Sequence, residues 1–140
     1  MSEAQGPVDR TGLEVITPED CIDLLATTPI GRLAFVVDGE PVVLPVNYRW
    51  FEGNIVFRTL DGQKFQAALT EQSVAFEVDE WDARNRRGWS VLVKGQAAEV
   101  SSWAEVETLE LIGLVPWAHQ VWRERWVKVT PKEITGRRVR

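Results

Sequence analysis

The chain has 140 residues, 44% of them hydrophobic and 26% charged, with a net charge of −5. That is one domain with a single core, and its acidic balance speaks against a dedicated nucleic-acid binder. No stretch approaches the ~18 apolar residues of a membrane span, and MSEAQGPVDR has no basic segment leading into an apolar run, so a cytoplasmic protein without membrane contact is expected. The single cysteine, Cys21, excludes an intrachain disulfide, and with the single histidine, His119, it cannot build a thiolate or multi-histidine metal site.

Residues 1–10 are polar, carry Gly6-Pro7 and read as a flexible tail before one domain spanning 11–140. Thr17-Pro18-Glu19-Asp20 predicts a helix start, with Thr17 as cap, Pro18 in the first turn and acids on the positive end of the dipole. Cys21, Ile22, Leu24 and Leu25 give that helix an apolar face, and Cys21 reads as a core residue with no activating cation near it in sequence. Gly31–Val37 predicts a strand closed by the hairpin signal Asp38-Gly39. From Pro41 to Leu69 the pattern predicts strand, turn at Phe51–Asn54, strand at Ile55–Thr59, a polar corner and a helix opening at Lys64.

Ser73–Asp79 predicts another strand with Val74, Phe76 and Val78 inward, and Glu80–Arg87 reads as a polar loop. Gly88–Val100 predicts a long strand with a bulge at Gly95. Ser102-Trp103-Ala104-Glu105 is a capping box for a helix reaching about Leu114. Trp122–Thr130 predicts a strand, Pro131-Lys132 a turn, and Ile134–Arg138 a last strand. Six or seven strands, most joined by hairpins, with two or three short helices, point to a mainly antiparallel barrel.

The corner after Ile55–Thr59 sets Arg58, Thr59 and Lys64 around Gly62 at a helix N-terminus, where unpaired N–H groups and the dipole favour an anion. Arg58 reads equally well as a solvated strand end, and Lys64 as an ordinary first-turn residue. Seven tryptophans, unusual for this length, hint at an interface or a flat aromatic ligand. From Arg123 to Arg140 seven basic residues face two acids, a local excess that suits an anion. No nucleophile elbow or dinucleotide-binding glycine pattern is present, so any redox chemistry falls to a bound cofactor.

Several landmarks occur in a definite order: Gly31-Arg32-Leu33-Ala34, Gly39-Glu40-Pro41, Pro45-Val46-Asn47-Tyr48, and Phe57-Arg58-Thr59 with Gly62 and Lys64. Val74–Asp79, Gly88-Trp89-Ser90-Val91 and Ile134–Arg138 follow. In these the chain from Cys21 to Val139 resembles the pyridoxamine 5′-phosphate oxidase-like family, the flavin-binding split barrels, in a small actinobacterial-type form. The resemblance implies a split β-barrel homodimer with a cofactor site at the subunit interface. It implies an oxidoreductase that binds FMN, or a deazaflavin coenzyme, and acts on a small organic substrate. A non-catalytic flavin carrier is the alternative, and haem ligation through His119 a more distant one. By the same resemblance Arg58, Thr59 and Lys64 would meet the phosphate, and Pro45, Val46 and Asn47 the ring. Trp89 and Ser90 would lie near the dimer seam, with Trp126 and Arg137 approaching the flavin from late in the chain. The longer substrate signature of true pyridoxamine-phosphate oxidases is not evident, so vitamin B6 oxidation is not implied.

Overall fold

Alternation of apolar and polar residues along most of the chain makes strands the dominant element, and each inward row closes one barrel core. The computed structural model describes residues 7–59, 72–114 and 125–139. In chain order the elements are β1 (Glu14–Val15), α1 (Pro18–Thr27), β2 (Ile30–Val37), β3 (Glu40–Asn47), β4 (Arg49–Phe51) and β5 (Asn54–Thr59). Then come β6 (Ser73–Asp82), β7 (Arg87–Glu99), α2 (Trp103–Glu110) and β8 (Arg125–Val139). They form one antiparallel, curled sheet in the order β3-β2-β6-β7-β8-β5-β4, with β1 added on β8: a split β-barrel.

The Asp38-Gly39 turn has φ of 50° and 78°, the left-handed pair of a two-residue hairpin loop, and pairs Val37 with Glu40. Inside the barrel Leu33, Phe57, Phe76, Val78, Val91 and Val93 are completely covered. Burial of each phenylalanine contributes roughly 1.5–3 kcal/mol before chain entropy is counted. Thr17 caps α1 as its sequence predicts, accepting a hydrogen bond from the Asp20 N–H. The helix then lays Cys21 and Leu25 on the core, and burial pushes the Cys21 thiol pKa up, as suits a core residue. Gly136 permits the approach, since a Cβ there would lie 2.6 Å from Cys21 Sγ. Tyr48 closes the same region, donating to the Leu25 carbonyl at 2.6 Å and meeting Phe76 edge-on at 4.7 Å.

Four expectations are corrected. The segment from Pro41 to Thr59 is not one hairpin: β3 pairs with β2, the chain breaks at Tyr48, and only β4 and β5 form a hairpin, about Glu52-Gly53. Burying the Tyr48 ring ends the β3 ladder and redirects the chain, so β3 and the β4–β5 pair lie at opposite ends of the strand order. Pro131-Lys132 is not a turn, because β8 runs continuously through it with a register shift opposite Lys94 and Gly95. The irregularity read at Gly95 lies in the ladder there, but the extra residue is on β8: Lys94 pairs with Glu133 and Gly95 with Pro131, leaving Lys132 bulged beside the proline, which has no N–H to give the ladder. The polar segment 80–87 is half strand: the ladder runs out to Asp82–Arg87 and only residues 83–86 form the turn, with Asp82 accepting from the Arg84 and Asn85 N–H groups. Finally, α2 stops at Glu110 rather than near Leu114. The helix read from Lys64, and His119, lie outside the described residues. Of the expected tail, Pro7–Arg10 is tied into the fold, the Pro7 carbonyl accepting from Val15 and Val8 bridging to Glu14. Among the described residues no helix is long and apolar enough to cross a membrane.

Candidate functional site

Strand β5 alternates Phe57 inward and Arg58 outward, and the register sets Arg58 directly opposite Trp126 of β8. The guanidinium carbon lies 5.0 Å from the Trp126 ring centroid, and the arginine side chain is only 16% exposed. A cation over an indole face is attracted by the ring quadrupole, about 0.5–2 kcal/mol depending on desolvation. Helix α2 covers the pair: Val56, Val100, Leu109, Leu114 and Trp126 form a second small core outside the barrel. Glu110, the last residue of α2, faces both partners. Its Oε1 accepts from Trp126 Nε1 at 3.0 Å, and Arg58 Nη2 reaches Oε1 and Oε2 at 3.4 Å each. Arg58 Nη1 also donates to the Leu114 carbonyl at 3.4 Å.

At the other end of β8, Arg137 stands opposite Ser90. Its Nε donates to Asp9 Oδ2 at 2.9 Å and its Nη1 to the Gly136 carbonyl at 2.8 Å. Asp9 Oδ1 takes the Thr11 hydroxyl at 2.6 Å and the Thr11 and Leu13 N–H groups at 2.8 and 3.1 Å. The Thr11 hydroxyl, those N–H groups and then Arg137 hold the Asp9 pKa down to about 2. Beside this tether a cleft of about 380 Å3 is lined by Trp89, Arg87, Arg138, Glu80, Asp82 and Val139, and Ser90, Trp81 and Arg137 border a smaller one adjoining. The larger volume lies within the roughly 300–1,000 Å3 of small-molecule sites.

Pro45 is exposed, while Val46 and Asn47 are half-buried at the end of β3. Asn47 borders a separate pocket of about 350 Å3 with Thr28, Pro29 and Trp50. Thr59 pairs with Arg125 through the ladder, and Lys64 lies outside the described residues. Across the outer face, Arg32 Nη1 bridges Asp79 at 2.8 Å and Glu77 at 3.3 Å. Burial, and then Asp79 beside it, raises the Glu77 pKa to about 7.

The expected residues thus fall into groups. Arg58 and Trp126 meet, and Trp89, Ser90 and Arg137 meet, but positions 126 and 137 lie near opposite ends of β8, separated by at most ~35 Å of extended strand. Sequence reasoning passes over Glu110, whose arginine partner is 52 residues away with no local signal. It passes over Asp9 too, although Asp9-Arg10-Thr11 has the order of an Asx turn. The Arg32–Glu77–Asp79 bridge joins β2 to β6 and shows only once strands are paired.

Residues 17–138 match the family model for pyridoxamine 5′-phosphate oxidase. The chain belongs to this family. It is 32% identical over 126 residues to an uncharacterized protein of Mycobacterium tuberculosis, covering 86% of this chain and 82% of that one. The FAD binding protein from Mycobacterium smegmatis superposes with a TM-score of 0.78 at 34% identity, covering 90% of this chain and 98% of its own. The FAD and haem binding protein from the same organism superposes at 0.67 with 18% identity, covering 86% and 70%, a likeness of fold alone. The family accounts for the order of the landmarks, from Gly31-Arg32 through Phe57-Arg58-Thr59 to Gly136-Arg137-Arg138.

Proposed function

We propose that the protein is a homodimeric flavin-binding oxidoreductase acting on a small organic molecule, with the coenzyme's phosphate-bearing tail at the Arg58 corner. The observation that carries this reading is the pairing of two features: a largely covered guanidinium on an indole face, and a cleft with Trp89 in its wall and Arg87, Arg138, Glu80 and Asp82 around it. Together they fit a flat ring with an anionic tail. A planar guanidinium binds phosphate oxygens through charge-assisted bonds, and Thr59 and Lys64 would complete that corner. Pro45, Val46 and Asn47 would lie along the ring. The relative that is a FAD binding protein, at 34% identity, supports a flavin, whether FMN, FAD or a deazaflavin.

The distance along β8 supports a second copy: with Arg58 and Trp126 at one end and Trp89, Ser90 and Arg137 at the other, different subunits would supply the two sets to one coenzyme. The outward row of β2 and β3 leaves Ile30, Val36 and Val43 exposed around the ion-paired Arg32, a mixed surface that a second copy could cover. When bound, the flavin supplies hydride or electron transfer. This chain's residues bind its tail, orient its ring and exclude water.

Mass spectrometry of the small molecule released on denaturing the purified protein tests the reading. A flavin or deazaflavin mass is expected; a protein that releases none and takes up none on titration would overturn it. Reduction by NADPH and turnover of a quinone or nitro compound separate an enzyme from a carrier.

A further inference from the structure

The last turn of α2 carries no basic residue, and its final residue is the acidic Glu110. A carboxylate at the negative end of a helix dipole opposes helix stability, by roughly 0.3–1 kcal/mol near the surface. Glu110 is therefore not there for the helix. It is held by the Trp126 indole N–H and the Arg58 guanidinium, with 46% of its side chain open to solvent. It offsets the charge of the arginine that the proposed coenzyme tail needs.

We infer that Glu110 is a specificity-determining residue that favours a flavin with a phosphodiester-type tail, such as FAD, over one ending in a terminal phosphate, such as FMN. The inference rests on the reading that Arg58 receives the coenzyme phosphate. A terminal phosphate carries close to two charges at neutral pH, whereas each phosphate of a diphosphate bridge carries one. Repulsion from a fixed carboxylate grows in proportion to the charge brought beside it, so the dianion is penalised more. Glu110 remains bonded to Trp126 in either case, which keeps the carboxylate in place as ligand arrives.

Flavin-fluorescence titration with FAD, FMN and riboflavin decides it. Glu110→Gln keeps an acceptor for the indole N–H and removes the charge, and Glu110→Ala is a second neutral form. Both should tighten FMN about twofold to fivefold more than FAD, with riboflavin unchanged, the size expected of a partly exposed charge. Glu107→Gln removes an exposed charge from the same helix and should leave the FAD-to-FMN ratio alone. Equal shifts for FMN and FAD, no shift, or the same change in Glu107→Gln would overturn the inference. Arg58→Ala separates the two levels. If it removes the advantage of phosphorylated flavins over riboflavin while Glu110→Gln does nothing, only the inference fails. If it leaves that advantage intact, the phosphate reading fails with it.

Discussion

An arginine–carboxylate pair lies beside a tryptophan near each end of strand β8, Arg58–Glu110 at one end and Arg137–Asp9 at the other, and the two pairs are built differently. At the Arg137 end the carboxylate is satisfied first by its own turn: the Thr11 hydroxyl and two N–H groups hold Asp9 before Arg137 adds its bond. At the Arg58 end the carboxylate depends on distant partners, the Trp126 indole and Arg58 itself, both beneath α2. A locally satisfied carboxylate makes a tether that barely needs its arginine. Glu110, held by Arg58 and the Trp126 indole, has no such local support among the described residues.

The largest effect that would break this contrast is at Trp126. Trp126→Ala removes a buried ring and the platform under Arg58, and should cost about 3–5 kcal/mol in urea denaturation. A loss below about 1 kcal/mol would mean that the corner is not packed as described. Arg137→Ala, by contrast, should cost less than about 1 kcal/mol, because its side chain is 37% exposed and its pair is a surface one. Asp9→Ala should lower the melting temperature further than Arg137→Ala does, since three local bonds go with it.

Acid sharpens the same comparison. With its pKa lowered to about 2, Asp9 contributes stability that is complete above its ordinary pKa and lost as pH falls through about 2. The melting-temperature gap between wild type and Asp9→Asn should hold at pH 5 and shrink between pH 4 and 2. The outer-face bridge should respond in the opposite sense. A Glu77 pKa raised to about 7 means that the folded state binds the extra proton, so stability falls as pH rises from about 5 to 8. Glu77→Gln should flatten that slope, the smallest of these effects because the group is a third exposed. An unchanged slope would show that Glu77 is charged throughout.

Much of the barrel was legible in the sequence because two-residue alternation, Asp38-Gly39 and the Thr17 and Ser102 caps are local signals. The β3–β4 break was not, since Tyr48 continues the alternation and only its burial against Leu25 and Phe76 ends the strand. Pro131 misled for a related reason: a proline reads as a turn unless a bulge in its ladder absorbs it, and that ladder is set by non-local pairing with β7. At the site, Arg58 and Trp126 were each named, but their direct opposition comes from β5–β8 register. Glu110 had no sequence signal, because what singles it out is the helix end and the partners that hold it.

The central claim is that the Arg58 corner holds the phosphate-bearing tail of a flavin. Calorimetric titration of FAD and riboflavin into wild type and Arg58→Ala tests it most directly. The account predicts that Arg58→Ala weakens FAD by about tenfold or more, as one charge-assisted contact of ~1.5–3 kcal/mol is lost, while riboflavin binds both proteins alike. FAD binding that is equally tight in both proteins would contradict it.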